Sequence, residues 1–508
     1  MSDATDAASA ELKQAGASYA HAGEEYFEKR KLKRSAGFWG VWGIGVGAVI
    51  SGEFSGWNFG IGQAGFVGFG IAAAVITFMY FCMLFSIGEM AAAMPHTGGA
   101  YSFARSAMGP LGGFLTGLAE TIEYVFTTAV VVYFAAQYAA GVFGDGLPQW
   151  LWWVILYAIF VGLNSWGAEA SFKFALVVAV LSCAILAFFV ILALAHGAVD
   201  FGSLNDIKPT GGHGEAFPFG LKGLLYALPF AMWFYLGIEE LPLASEEAHN
   251  PQRDVPRAGV LGMVTLLVFA ALVYVFNTAV LGSRTTGSSG QPLLDGFASF
   301  LPDSWARILA GFALIGLLAS LQGIMFAYGR NLYSLSRSGY YPRILSLTGK
   351  RQTPYLALVV GAVIGFVALL IADNAGGTAS SIVLNISVWG AVLAYMSQMA
   401  SFVILRRKYP NAVRPYVSPT GNWGAVVAFV IAAITFVGIL INSDYHSAVI
   451  AIAVLYAIGL VLYYVFARHR LVLAPEEEYA MSGGLHRDPA VEHYGSELET
   501  ELPAEDFR

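Results

Sequence analysis

The chain has 508 residues, of which 57% are hydrophobic and 12% charged, with a formal net charge of -7 and a mean hydropathy of +0.63. Soluble domains carry about 25% charged residues, so a water-exposed globular surface cannot be built from this composition. That excludes soluble enzymes and nucleic-acid-binding modules and points to a chain solvated largely by lipid.

Residues 1–35 form a polar, Ala-rich leader without the short apolar stretch and cleavage site of a signal peptide. A hydrocarbon core about 30 Å thick needs about 20 apolar residues per helix, and about twelve such runs follow. The first covers 37–63 and reads GIGVGAVISGEFSGWNFGIG from Gly43 to Gly62. Its glycines and central Glu53 do not suit a continuous lipid-facing helix. The next runs cover 68–91, 110–140, 150–166 and 174–197. The sixth, 218–245, contains Pro229, Gly237, Glu239, Glu240 and Pro242, so it too should part. The remaining runs cover 258–282, 305–334, 354–373, 379–405, 423–442 and 446–467.

Backbone freed at membrane depth must be buried in protein or line a wet cavity, and paired interruptions in two halves of a chain point to a solute site. The two interrupted helices lie five apart, the spacing of two five-helix repeats. An ionisable group within a membrane segment is costly and marks function by default. Glu53, Glu123, Glu120, three residues before it on the same helical face, and Glu239 are therefore the acids of interest.

Lys and Arg concentrate in alternate loops: Lys29 to Arg34, Arg105, Lys173, Arg253 and Arg257, Arg330 to Arg351, Arg406 to Arg414, and Arg468 with Arg470. The intervening loops hold Asp200, Asp206, Glu215 and Asp295. The positive-inside rule then places both termini in the cytoplasm of a multi-pass protein of the inner (plasma) membrane, with an even helix count. After the last helix an acidic tail, 471–508, has low apolar content and no period; it is expected to be disordered and is given no chemistry. Cys82 and Cys183 each fall inside an apolar run, so neither a disulfide nor a metal site is expected. No P-loop, His-Glu-x-x-His helix or Gly-x-Ser-x-Gly elbow occurs, which argues against ATP coupling, enzyme activity and any cofactor.

Three stretches carry a resemblance: PHTGGAYSFARSAMGPLGGF from Pro95, EEAHNPQRDVPRA from Glu246 and GRNLYSLSRSGYYP from Gly329. They resemble, in order and spacing, the loop signatures of the amino acid, polyamine and organocation (APC) transporter superfamily. Within it, VISGEFSGWNFG from Val49 with IEYVFTTA from Ile122 is similar to the bacterial ethanolamine permeases. The resemblance implies an all-α membrane fold of five plus five inverted helices with broken first and sixth helices and two peripheral ones. It divides the chain into a transporter domain, 36–470, with repeats at about 36–197 and 218–405 and peripheral helices at about 423–467. It further implies alternating access around a site between the first, third, sixth, eighth and tenth helices.

Carried onto this sequence, the substrate-binding positions are Ser51, Gly52 and Glu53 at the first break, Glu123 and Tyr124 on the third helix, and Trp233, Phe234, Tyr235, Leu236 and Glu239 at the sixth. The aromatic run could close over an ammonium, a cation–π contact of about 2 kcal/mol when desolvated. Trp57 and Trp389 are read first as packing. In amino acid carriers of this kind the first break receives the substrate carboxylate through backbone N–H groups; here Glu53 takes a position usually held by glycine. A carboxylate there repels another carboxylate and attracts an amine. The expectation is a secondary permease importing ethanolamine or a similar small amine, coupled to a proton through Glu120, Glu123 or Glu239. Ser182 stands where one proton-coupled branch has a lysine. An amino acid or polyamine permease of the same superfamily, and a non-transporting amine sensor, are the alternatives. Oligomeric state is not readable.

Overall fold

The computed structural model describes residues 12–14, 16–20, 22, 24–144, 146–374, 379–474 and 477. Ten of its helices are long and apolar enough to cross a membrane. Two more complete the array expected from the sequence. One is the broken first crossing; the other is Gln149–Trp166, eighteen residues whose tryptophans and Asn164 dilute an otherwise apolar segment.

The crossings in chain order are α1 (Phe38–Val49, running on through Ser51–Phe54), α2 (Phe59–Ala93), α3 (Gly99–Phe143), α4 (Gln149–Trp166), α5 (Ala168–Ala195), α6 (Gly220–Trp233) and α7 (Pro251–Leu281). They continue as α8 (Asp303–Arg337), α9 (Tyr355–Asn374), α10 (Ala379–Lys408), α11 (Gly421–Ile441) and α12 (His446–Val465). Two of these bend sharply. α2 kinks at Gly65, so that 59–64 complete the first crossing and 66–93 make the second. α3 kinks at Gly109, ahead of Pro110, so that the signature segment 99–108 forms its own short arm before the crossing. Two short helices, Ser283–Ser288 and Pro292–Phe300, fill the connection between α7 and α8.

Because the first five crossings are an odd number, a second set beginning with α6 enters the membrane from the opposite face. Both sets open on a broken helix, which is the five-plus-five inverted arrangement. α11 and α12 follow outside it; only 17% of the last helix's apolar window is buried.

A small sheet adds to this helical frame. β1 (Leu12–Gln14) pairs antiparallel with β2 (Ala17–Ala20), and β2 pairs parallel with β3 (Leu471–Val472). The segment before the first crossing and the segment after the last therefore meet on one face, as an even number of crossings requires. Most of the acidic tail, 475–476 and 478–508, lies outside the described residues; Glu477, within it, has a structural role. It is fully buried, 2.6 Å from Arg105 Nε, and accepts from the hydroxyls of Tyr19 at 3.0 Å and Tyr340 at 2.9 Å.

The same face holds other buried or partly buried ion pairs: Arg330 with Glu247 at 2.8 Å, both fully buried, Arg337 with the partly exposed Glu246 at 2.5 Å, and buried Glu89 between the partly exposed Arg406 and Arg414. These pairs involve all three signature loops. An ion pair out of water holds only when the partners also satisfy each other geometrically, and Arg330 does so with two hydrogen bonds to Glu247.

Candidate substrate site

The two broken helices meet at the centre of the protein. At the first break the chain turns through Gly56, whose φ is 98° and where an added Cβ would lie 2.6 Å from Trp233 Nε1, leaving no room for a side chain. At the sixth, Gly237 takes a left-handed φ of 105°, and an added Cβ there would lie 2.7 Å from Ile324. The two breaks abut: a Cβ on Gly52 would lie 2.4 Å from the Trp233 carbonyl oxygen.

Freed backbone groups in a membrane interior need partners, and side chains supply them. Ser320 of α8 accepts from Ser51 N at 2.8 Å and donates to the Gly47 carbonyl at 2.9 Å. Asn58 accepts from Gly56 N and donates to the carbonyls of Thr286 and Ser289. Tyr138 donates to the Phe54 carbonyl and Trp233 Nε1 to that of Ser55. Trp233 and Gly52, read from the sequence as substrate contacts, thus hold the two breaks together, and the Ser51 amide is occupied by a hydroxyl.

The acids behave differently. Glu53 is fully buried, and among the described residues neither carboxyl oxygen has a hydrogen-bond partner. Glu123 is fully buried as well; Tyr395 donates to its Oε1 at 3.1 Å while Oε2 has no donor. Glu123 and Glu239 are electrostatic neighbours, and two adjacent carboxyls are compatible only if at least one of them keeps a proton. Glu239 Oε2 also accepts from Gly237 N at 3.1 Å. Glu240 is buried with both oxygens unpartnered. Glu120 contrasts with these, accepting from Tyr124 at 3.2 Å and from Asn331 at 3.2 Å.

The rings sort in the same way. Phe234 stacks on Trp57, with centroids 5.3 Å apart, and Phe69 and Tyr274 complete the aromatic cluster. Tyr235 shares a 2.8 Å hydrogen bond with Thr77, and Leu236 is buried beside it. Trp389 stacks on Phe436 of α11 and is a packing residue, as read. Ser182 bonds the carbonyl of Val178 in its own helix.

Sequence reasoning missed three participants. Tyr395 and Tyr80 form a hydroxyl pair at 3.1 Å that ends on Glu123, and no linear motif links α2 and α10 to that acid. Glu240 sits next to Glu239 and could have been weighed with it. Among the described residues no set of three or more His, Cys, Asp or Glu is placed to hold a metal ion.

A multi-pass helical protein with two broken helices meeting at a buried, charged centre is a membrane carrier, not an enzyme. Residues 40–473 match the amino acid permease family, and the chain belongs to that family, within the APC superfamily. The uncharacterized transporter R00093 of Rhizobium meliloti (strain 1021) is 28% identical, over 88% of this chain and 94% of that one. The uncharacterized amino acid permease YtnA of Bacillus subtilis (strain 168) is 27% identical, over 86% and 96%. A methylthioribose transporter of the same organism is 25% identical, over 85% and 91%.

Proposed function

We propose that this carrier imports a small amine without a carboxylate, ethanolamine or a close analogue, across the plasma membrane together with a proton. The observation that carries the reading is Glu53: a fully buried acid at the first break with no hydrogen-bond or ion-pair partner among the described residues. An ionised carboxylate left so is far costlier than a neutral polar group. It must be protonated or face an incoming positive charge, and a substrate ammonium supplies one. At about 4 Å and an effective dielectric of about 20 the attraction is about 4 kcal/mol, and a substrate carboxylate would be repelled by the same amount. The Ser51 amide, already held by Ser320, offers no free donor to such a carboxylate.

Coupling follows from the second acid group. Glu123 and Glu239 hold together with one shared proton and repel without it, so binding a cation and releasing that proton are linked steps. Glu120, satisfied by Tyr124 and Asn331, steadies α3 against α8. The Lys and Arg bias of alternate loops supports a cytoplasmic side for both termini. Not every relative is named for an amino acid, as the methylthioribose transporter illustrates.

Family membership favours a second reading, an amino acid carrier. Competition separates the two: labelled ethanolamine uptake should be blocked by excess propanolamine-type amines and not by zwitterionic amino acids. Block by alanine-like zwitterions at equal concentration would favour the amino acid reading. Uptake that vanishes when sodium is replaced but ignores a protonophore would remove the proton.

A further inference from the structure

Away from the substrate site, where α4 ends and α5 begins, an open cavity of about 680 Å³ is lined by Lys33, Lys173, Lys350 and Arg351, with Trp166 and Glu169. Four cations converge there against one acid, and that acid is engaged: Lys173 Nζ lies 2.8 Å from Glu169 Oε1. Arg351 is fixed from behind, its guanidinium 4.6 Å over the Trp166 ring and bonded to the Trp166 carbonyl at 3.3 Å. Residues 168–170, the first turn of the 28-residue α5, also line the cavity, and no side chain caps them. An uncapped first turn adds N–H donors and the positive end of the helix dipole to the four cations.

The surface beyond the cavity is apolar. Trp166 is 65% exposed at its rim, and Ile159, Val177 and Val180 on the same two helices are each more than half exposed. In a membrane carrier such side chains meet acyl chains, so the basic cavity sits at headgroup level with a lipid-facing wall beside it. We propose that this cavity is a binding site for the phosphate headgroup of an anionic phospholipid, whose chains lie along α4 and α5. Basic pockets between membrane helices recognise anionic headgroups in this way. A free phosphate would meet the same cations but gain nothing from the wall.

The test uses the full-length protein in nanodiscs of phosphatidylcholine with a minor fraction of phosphatidylglycerol. After transfer to detergent, the phosphatidylglycerol retained per protein is measured by mass spectrometry. Lys33→Gln, Lys350→Gln and Arg351→Gln should each lower retention about fivefold, Glu169→Gln should raise it by removing the one acid, and Lys222→Gln on α6 should leave it unchanged. Retention equal to wild type in the combined Gln variant, with an unchanged melting temperature, overturns the proposal. Millimolar inorganic phosphate that strips the lipid completely would instead assign the cavity to a soluble anion, also against it. Should the combined variant not fold, Glu169→Gln decides alone: no gain in retention rejects the site.

Discussion

On the face that carries both termini, buried acids are met by guanidinium groups: Glu247 by Arg330, Glu477 by Arg105, and Glu89 by Arg406 and Arg414. Between the broken helices the same residue type, equally buried, has no cation partner among the described residues; Glu53 and Glu240 have no donor there at all, and Glu123 and Glu239 have one neutral donor each, Tyr395 and Gly237 N. Burial alone therefore does not separate the paired acids from those proposed to act on substrate or proton. The partner does. A paired acid closes its own charge and fixes loops, whereas an unpaired one leaves a charge to be supplied from outside, by substrate or proton.

The largest effect should come from breaking the best pair. Arg330→Met leaves Glu247 buried and uncompensated and should cost about 3–5 kcal/mol, seen as loss of monodisperse protein or a large fall in melting temperature. Adding Glu247→Leu should recover most of that loss, because removing both charges spares the desolvation cost. Next, Glu53→Gln should not destabilise the protein but should weaken amine binding by about 3 kcal/mol, roughly a hundredfold, read from the concentration dependence of uptake. If Glu53→Gln unfolds the protein while Arg330→Met does not, the comparison is reversed.

Smaller effects sharpen it. Glu477→Gln should cost about 1–3 kcal/mol, less than Arg330→Met because residues near the chain end can withdraw into water with little else disturbed. Limited proteolysis should then cut the C-terminal segment faster. Smallest of all, Tyr395→Phe removes one donor from Glu123 and should change uptake by about 1 kcal/mol. It should leave proton-gradient stimulation intact, whereas Glu123→Gln should abolish that stimulation and preserve exchange.

The crossings and both breaks were legible because lipid imposes long apolar runs and because Gly56, Gly237 and the acids around them interrupt those runs conspicuously. α4 was read from its length, although its tryptophans and Asn164 bring its hydropathy down. The small sheet was not legible: its strands are two to four residues long, and the pairing joins residues near the two chain ends. Glu477 looked like any other residue of a polar, aperiodic segment, and only the fold places it on Arg105. Within the site, motif and depth singled out Glu53, Glu123 and Glu239, but Tyr395 reaches Glu123, Tyr80 reaches Tyr395, and Ser320 reaches the first break's backbone from helices remote in sequence. The division of the aromatic run into a bridge, Trp233, and a stacked cluster, Phe234 with Trp57, depends on backbone turns that sequence does not specify.

The central claim, that Glu53 selects an amine, is tested most directly by radiolabelled ethanolamine uptake into proteoliposomes, wild type beside Glu53→Gln, with and without an inward proton gradient. The account predicts gradient-stimulated uptake by the wild type, lost in a variant whose melting temperature is not lowered. Uptake that survives in Glu53→Gln, or accumulation of an amino acid with no transport of ethanolamine by the wild type, would contradict it.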